Sequence, residues 1–197
     1  MASVNEWVVR EYFELQGFLV SQPRKYVAQG RQKEAQEEVD LVVINPNVKE
    51  QKLPEHLVWD IEDLNNVSRA VISIRGWHSE RFYVSTVMQT PEILRFVEAD
   101  SMRFAGKILG SGPIAKILCL PRLPASGELK EKTIQLLKEK GIDGVISFMT
   151  MLGGLIKRVD KNKNYEKSDL LQVLRILKCY DLLKDGQMDL FHVKRNK

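Results

Sequence analysis

The stretch that decides the fold is Val39-Asp-Leu-Val-Val-Ile44, which Asn45-Pro-Asn47 follows. Its valines and isoleucine are β-branched and favour a strand, and the Asn-Pro-Asn triplet is typical of a turn. A second run of the same kind, Arg69-Ala-Val-Ile-Ser-Ile-Arg75, ends at Gly76. Both runs are short of polar residues, as interior strands are. We therefore expect Val39–Ile44 and Ala70–Arg75 to be adjacent central strands of one sheet.

Helical patterns lie on both sides of these two runs. Apolar residues recur at helical spacing over residues 3–16, and Gly17 follows as a stop signal. Thr90-Pro-Glu92 begins a predicted helix that runs to about Leu109, because Thr can cap a helix and Pro suits its first position. The other predicted elements are strands near 18–20, 115–120 and 144–148, a strand or turn at 57–61, an extended segment at 81–87, and helices near 127–140, 149–159 and 168–184.

This order predicts an α/β protein. A strand–helix–strand segment needs a crossover connection, so some strands must pair in parallel and the sheet is expected to be mixed. We place an α/β core at residues 1–148 and a basic helical extension at residues 149–197. The two helices of the extension would form either a helix-turn-helix-like unit or a cap on the core.

The composition is typical of a globular protein. Of the 197 residues, 44% are hydrophobic and 28% are charged, which excludes a disordered or collagen-like chain. No apolar run is long enough to cross a bilayer, and residues 1–6 lack the pattern of a secretory signal. The two cysteines, Cys119 and Cys179, make neither a disulfide framework nor a metal pattern. We therefore predict a cytoplasmic protein without a membrane partner.

The positive charge is concentrated in the last quarter of the chain. Residues 151–197 hold 11 of the 30 Lys and Arg and 6 of the 26 Asp and Glu, a net charge of +5, whereas residues 1–150 carry −1. A basic segment of this kind either contacts nucleic acid or is simply a solvated end. In the amphipathic stretch 168–178, Arg175 and Lys178 lie off the leucine face and are candidates for nucleic-acid contact.

Three local features accompany this order of elements. Glu6 lies on the first helix, eleven residues before Gly17-Phe18; Asp40 follows Glu38-Val39; and Ser73-Ile-Arg75 ends the second predicted central strand. Together they resemble the PD-(D/E)XK superfamily of nucleases, whose archaeal Holliday-junction resolvases carry a similar helix glutamate. The resemblance covers about residues 3–125. It implies a restriction-endonuclease-like αβββαβ core with a mixed central sheet, here followed by the C-terminal helical extension.

The third feature departs from the pattern of the superfamily. Ser73 stands where the family has a carboxylate, and Arg75 stands where it has a lysine. Family members use carboxylates to hold Mg²⁺, which polarises the phosphodiester and helps to generate hydroxide. Arginine keeps the positive charge and grips phosphate, but it does not lose its proton and cannot act as a base. Some type II restriction enzymes read Ser-x-Lys here and take a glutamate from the next helix; Glu92 would fill that role, with Glu98 as the second choice.

Each acidic candidate also has a structural interpretation. Asp40 would either ligate a metal ion or occupy an exposed position on a half-solvated strand, because a buried lone acid is costly. Glu92 would either supply the missing carboxylate or complement the dipole of its helix. Glu6 has the same two interpretations, and Glu11 and Glu14 compete with it for the functional one.

The residues after the second central strand are the candidates for contact with nucleic acid. Arg75 would bind a phosphate or a carboxylate at the site, or it would end the strand in solvent. Trp77 would stack on a base or pack at the rim of the core, and His78 would shuttle protons near neutral pH. The acidic residues of 60–63 are interpreted as a solvated turn, with a displaced metal ligand as the alternative.

Three functions follow from these residues. The first is slow phosphodiester hydrolysis on DNA that depends on Mg²⁺, or on Mn²⁺ as a substitute. Its metal ligands would be Asp40 and Glu92, and its catalytic set would be Glu6, Asp40, Ser73, Arg75 and Glu92. The second is a catalytically inactive nuclease-fold module that binds nucleic acid or a protein partner. The third is an unrelated function with an accidental resemblance. Whether the protein is an enzyme, and whether it is a homodimer, stays open at this point.

Overall fold

The computed structural model describes residues 3–23, 39–79 and 81–183. Five strands form its sheet: β1 (Leu19–Ser21), β2 (Leu41–Ile44), β3 (Arg69–Ile74), β4 (Ala115–Leu120) and β5 (Gly144–Ser147). The α-helices are α1 (Val4–Glu14), α2 (Val84–Gln89), α3 (Ala99–Leu109), α4 (Gly127–Glu139), α5 (Phe148–Arg158) and α6 (Asp169–Cys179). Two 3-10 helices cover Asp63–Asn66 and Pro91–Val97.

The strands lie in the order β1-β2-β3-β4-β5 across the sheet. β1, β2 and β3 are antiparallel neighbours, whereas β4 pairs in parallel with both β3 and β5. Leu41 of β2 lies opposite Ile72 of β3. The two runs predicted as central strands are therefore adjacent and internal, as expected, and the α/β class with a mixed sheet is confirmed.

One face of the sheet is covered by α1, α5 and α6. Ile72 of β3 belongs to the same hydrophobic cluster as Phe13 of α1, Met151 and Leu155 of α5, and Leu171 of α6. The first helix, which the sequence predicted over residues 3–16, thus packs on the sheet. The helices that follow β5 bury their apolar side chains in the same cluster, so they cover this face of the sheet.

The other face is covered by α2, α3, α4 and the 3-10 helix Pro91–Val97. Val71 of β3 packs there with Phe96, Leu118 and Leu137. Successive side chains of a strand point to opposite faces, so Ser73 lies on the same face as Val71. This face, and the end of β3 that continues into Arg75, contain most of the residues that the sequence singles out.

Two segments differ from the sequence predictions. The segment 81–87, predicted to be extended, contains the start of α2, where the backbone N–H of Tyr83 donates to Oγ1 of Thr86 at 3.3 Å. The predicted continuous helix 90–109 is divided at Glu98, whose backbone is extended with ψ 157°. Oγ of Ser101 donates to the Arg95 carbonyl at 2.8 Å and holds this break between the 3-10 helix and α3.

The segment 57–59 runs along the outer side of β5. The N–H of Trp59 donates to the Val145 carbonyl at 2.8 Å, and the N–H of Val145 donates to the Leu57 carbonyl at 2.7 Å. Trp59 is buried, and its Nε1 donates to the His56 carbonyl at 2.9 Å. A Cβ atom on Gly144 would lie 2.4 Å from the Trp59 ring. A residue without a side chain is therefore required where β5 begins.

Candidate functional site

Asp40 lies immediately before β2, beside the end of β3. Its backbone N–H donates to the Ile72 carbonyl at 3.1 Å and so extends the pairing of β2 with β3. The residue is buried, and its Oδ2 accepts the backbone N–H of Ile74 at 2.7 Å. This hydrogen bond fixes the direction of the carboxylate toward the end of β3. Asp40 is thus not on an exposed strand position.

Arg75 supplies the positive charge next to this carboxylate. Its Nη1 lies 3.4 Å from Oδ2 of Asp40 and donates to the Ile74 carbonyl at 2.9 Å. Its Nη2 donates at 3.3 Å to the carbonyl of Ile93, in the 3-10 helix Pro91–Val97. The Arg75 side chain is only 17% exposed. The guanidinium therefore balances the charge of Asp40 and also ties the end of β3 to the neighbouring 3-10 helix.

Ser73 is the residue at which the resemblance would place a carboxylate. It is completely buried, and its Oγ donates to Oδ2 of Asp40 at 3.4 Å. Asp40, Ser73 and Arg75 thus form one hydrogen-bonded group, which we call the Asp40 cluster. The structure brings these three predicted site residues together.

Glu6 is placed at the start of α1. Its carboxylate accepts the backbone N–H of Ser3 at 2.7 Å, and the Ser3 hydroxyl accepts the N–H of Glu6 at 3.3 Å. This reciprocal arrangement is a capping box, which satisfies backbone donors that the first turn of a helix leaves without partners. The structure therefore gives Glu6 a role in capping the helix.

Glu92 is exposed in the first turn of the 3-10 helix Pro91–Val97, one residue before the carbonyl that Arg75 contacts. Within residues 3–23, 39–79 and 81–183, no three His, Cys, Asp or Glu side chains are grouped closely enough to hold a metal ion. A guanidinium 3.4 Å from the Asp40 carboxylate also opposes a divalent cation at the same oxygen. The described residues therefore do not fit the Mg²⁺ site that the resemblance implies for Asp40 and Glu92.

Trp77 and His78 lie on the loop that leaves β3 after Arg75. Nε2 of His78 lies 2.7 Å from Oδ1 of Asn5 at the start of α1, and its ring meets Phe148 edge-on with centroids 4.7 Å apart. Asn5 packs so closely on the backbone of Gly76 that any Cβ there would clash with it. The loop is therefore anchored on both sides of Trp77, whose own side chain is 43% exposed.

The buried thiol of Cys119 on β4 is close to the Asp40 cluster. The backbone N–H of Arg75 donates to the Cys119 carbonyl at 2.9 Å. Burial raises the pKa of the Cys119 thiol, and the negative charge of Asp40 raises it further. The thiol is consequently protonated at neutral pH and is not a nucleophile.

Arg175 and Lys178 of α6 are engaged with the end of α5 and the turn that follows it. Lys178 is buried, and its Nζ donates to the Val159 carbonyl at 2.7 Å. Nε of Arg175 donates to the Lys161 carbonyl at 3.0 Å. The Lys178 cation interacts favourably with a carbonyl group at the C-terminus of α5, whereas Arg175 contacts the turn that follows. The structure places them apart from the Asp40 cluster, in contacts that join α6 to the preceding helix.

Arg122 was not singled out by the sequence, although it lies at the same end of the sheet as the Asp40 cluster. The loop after β3 returns to the end of β4, where the N–H of Phe82 donates to the Arg122 carbonyl at 2.8 Å. The Arg122 side chain is exposed. One signal was available, since ligands of open α/β sheets bind beyond the carboxyl ends of the strands, and Arg122 directly follows a predicted parallel strand.

We found no protein-family model, curated protein or solved structure that matches this chain. No helix among the described residues is both long and apolar enough to cross a membrane. The fold and the site define the class: an α/β protein with a five-stranded mixed sheet and a buried Asp–Arg cluster where β2 begins and β3 ends.

Proposed function

We propose that the protein binds DNA through a restriction-endonuclease-like core in which the Asp40–Arg75 ion pair replaces the metal site. The order of elements supports this proposal. Helix α1, three antiparallel strands, helix α3 and the parallel strand β4 follow one another as the resemblance implies. The position of Asp40 beside Ser73 and Arg75 also agrees with the arrangement of the family motif on two adjacent strands.

The observation that carries the proposal is the 3.4 Å contact between Nη1 of Arg75 and Oδ2 of Asp40. A guanidinium at this place supplies the positive charge that a metal ion would otherwise supply next to the aspartate. Guanidinium groups match the geometry of phosphate oxygens, and this one is already engaged by the Asp40 carboxylate and by the carbonyls of Ile74 and Ile93. It does not supply a base, since arginine stays protonated. The arrangement therefore favours binding over hydrolysis.

A second basic region lies in the helical extension. Lys157, at the end of α5, and Lys161, Lys163 and Lys167, in the segment before α6, are exposed. Contacts between lysines and phosphates provide most of the affinity of non-specific DNA binding. These four residues, which we call the lysine group, are better placed for such contacts than Arg175 and Lys178.

The test is a binding titration of a short fluorescein-labelled DNA duplex, followed by anisotropy in buffer that contains EDTA. We expect binding without divalent metal ions, and we expect the logarithm of the association constant to fall linearly with the logarithm of the salt concentration. Absence of binding at low salt, or binding that requires Mg²⁺, would overturn the proposal.

Metal-dependent hydrolysis of DNA is the alternative function that the resemblance implies, although the described residues do not fit its metal site. The Asp40 carboxylate, a potential metal ligand, lies within hydrogen-bonding distance of Ser73, the position from which the family's second carboxylate extends. Under this function Asp40→Asn and Glu92→Gln would each abolish cleavage in the presence of Mn²⁺, while Ser73→Ala would have little effect.

The variant Ser73→Glu/Arg75→Lys distinguishes the two functions, because it restores the Glu-x-Lys strand of the family. Ser73→Gln/Arg75→Lys is its matched control, with a side chain of the same length and no charge. Cleavage by the native protein that Asp40→Asn abolishes would establish hydrolysis. If only the Glu-containing variant cleaves DNA, the native protein has a nuclease fold that binds DNA without cutting it. The circular dichroism spectrum of each variant reports whether it is folded.

A further inference from the structure

An exposed tryptophan and an exposed arginine follow two neighbouring parallel strands at the same edge of the sheet: Trp77 comes after β3, and Arg122 comes after β4. Trp77 follows Arg75 by two residues, so their Cα atoms are at most about 7 Å apart along an extended chain. The loop that carries Trp77 begins where the Arg75 N–H meets the Cys119 carbonyl and returns where the Phe82 N–H meets the Arg122 carbonyl. Both strand ends therefore contribute to one surface.

The shape of this loop is fixed by its neighbours. His78 is held by the hydrogen bond to Asn5 and by the edge-on contact with Phe148, and Gly76 lies against the Asn5 side chain. Trp77, between these two anchors, leaves 43% of its surface open to solvent. A large aromatic ring on an anchored loop loses little conformational freedom when a ligand covers it, which favours binding.

Two arginines near the end of β4 are suited to contacts with phosphates. Arg122 is exposed and is the only charged residue in the segment 121–126 between β4 and α4. Arg81, on the same loop as Trp77, donates from Nη1 to the Leu123 carbonyl at 3.2 Å, which places a second guanidinium beside this segment. Recognition of single strands uses two elements. Cationic side chains contact the phosphates of the nucleic-acid backbone, and an aromatic ring stacks on a base.

We propose that this surface binds unpaired DNA, with one base stacked on Trp77 and the adjoining phosphates held by Arg122. The inference rests on the proposed DNA-binding function and adds the class of DNA to it. In an intact duplex the faces of the bases are covered by their neighbours in the stack. An exposed indole next to arginines is therefore suited to single strands, flaps or frayed ends.

The experiment compares two tryptophans of nearly equal exposure. Trp7 on α1 is 44% exposed, and Trp77 is 43% exposed. Trp77→Ala should weaken binding of labelled oligothymidylate by roughly 5- to 150-fold, the range that corresponds to about 1–3 kcal/mol per stacked base. Trp7→Ala should leave this affinity within about twofold of the native value, whereas Trp77→Phe, which keeps an aromatic face, should restore most of it.

A second measurement uses fluorescence of the protein itself. In the Trp7→Phe variant, Trp77 is the only exposed tryptophan, because Trp59 is buried. Oligothymidylate should quench this fluorescence in EDTA, and an unlabelled blunt duplex should quench it much less. Arg122→Ala should lower the dependence of oligothymidylate binding on salt by about 0.7 in logarithmic slope, the value for one phosphate contact on a single strand. Arg103→Ala, on α3, is the matched control.

The outcomes separate this inference from the proposed function. If Trp77→Ala and Trp7→Ala bind oligothymidylate equally well, the stacking role of Trp77 is wrong even if duplex binding persists. If neither oligothymidylate nor duplex binds the native protein at low salt, the DNA-binding function fails and this inference fails with it. Selective loss of oligothymidylate affinity in Trp77→Ala, with duplex affinity preserved, supports the inference.

Discussion

The ion pair of Asp40 and Arg75 is held by contacts with the end of β3 and with the 3-10 helix Pro91–Val97. The Asp40 carboxylate has a buried backbone donor at Ile74, and the Arg75 guanidinium reaches two backbone carbonyls. Neither charge is left in an apolar environment without polar contacts. Such a group is sensitive to the removal of one partner, because the charge that remains is still buried.

We therefore predict that Arg75→Met lowers the free energy of unfolding by about 3–5 kcal/mol, the usual cost of breaking a buried ion pair. Asp40→Asn/Arg75→Met should recover a large part of this loss, since asparagine is neutral and still accepts the N–H of Ile74. Urea denaturation of the two single variants and the double variant measures the coupling. Strictly additive losses would show that the two side chains do not interact.

Gly144 is the residue with the least room for a side chain next to a buried ring. Because its Cβ would lie 2.4 Å from Trp59, Gly144→Ala should destabilise the protein by about 1–3 kcal/mol, the usual cost of overpacking a core. Gly127→Ala, at the first position of α4, has no atom within 4 Å of the new Cβ and serves as the control. Denaturant midpoints of the two variants would be compared; equal midpoints would contradict the prediction.

Sequence patterns identified which residues belong to the site better than they identified the contacts that these residues make. Ser3-Val-Asn-Glu6 has the spacing of a capping box, so the capping role of Glu6 was readable from the sequence. The pairing of Asp40 with Arg75 was not, because it depends on the register of β2 against β3. The burial of Lys178 also could not be predicted, since its acceptor, the Val159 carbonyl, is 19 residues away in the chain.

A polar contact between side chains joins helix α1 to helix α6. The Ser168 side chain accepts the N–H of Leu171 as the cap of α6 and also hydrogen-bonds to Glu11 of α1. Burial raises the pKa of Glu11; the Ser168 bond and Arg10 oppose this change, and the charge of Glu14 adds to it. The folded protein therefore holds a proton on Glu11 more tightly than the unfolded chain does.

The raised pKa of Glu11 determines how the stability of the protein changes with pH. A raised pKa of Glu11 favours folding at pH values below the ordinary value of 4.5, and that contribution is lost as the pH rises through the folded-state pKa. Glu11→Gln should therefore be more stable than the native protein at pH 7, and the difference should shrink at acid pH. Thermal denaturation across this pH range measures it, with Glu131→Gln on α4 as the control. A constant difference at every pH would contradict the assignment.

Predictions from the sequence succeeded for elements whose local pattern and packing agree. β2 and β3 are β-branched, internal strands, and α4 has the amphipathic period and the final glycine of a helix. Residues 84–89 contain β-branched side chains and nevertheless form α2, because buried Phe82 and Val87 pack this segment into the hydrophobic cluster on that face of the sheet. Tertiary packing overrides a weak propensity of this kind.

The helical extension contributes positive charge to the surface of the molecule and apolar side chains to its hydrophobic core. Met151, Leu155, Leu171 and Leu174 are buried in the cluster shared with α1 and the sheet. Deletion of residues 151–197 would consequently remove part of the core along with the charge. The contribution of the charge has to be tested by substitutions on the surface.

We predict that replacing the lysine group (Lys157, Lys161, Lys163 and Lys167) with glutamine weakens duplex binding. The salt dependence should fall by about 0.9 in logarithmic slope for each lysine that contacts a phosphate. Replacing four exposed lysines elsewhere, Lys107, Lys130, Lys138 and Lys140, should have a smaller effect at the same net charge. Salt titrations of both variants measure the difference; equal losses would show a response to net charge alone.

The backbone bridge between the segment 57–59 and β5 also affects the tendency of the protein to aggregate at high concentration. An uncovered strand is a template on which another chain can add its own strand and begin aggregation. Residues 57–59 occupy that template along part of β5 and are locked there by the buried Trp59 indole. On the opposite side β1 has three residues, and Pro23, which has no N–H to donate, follows shortly after it. Addition of a strand to β5 would therefore require the release of Trp59, and a red shift of its fluorescence would precede turbidity.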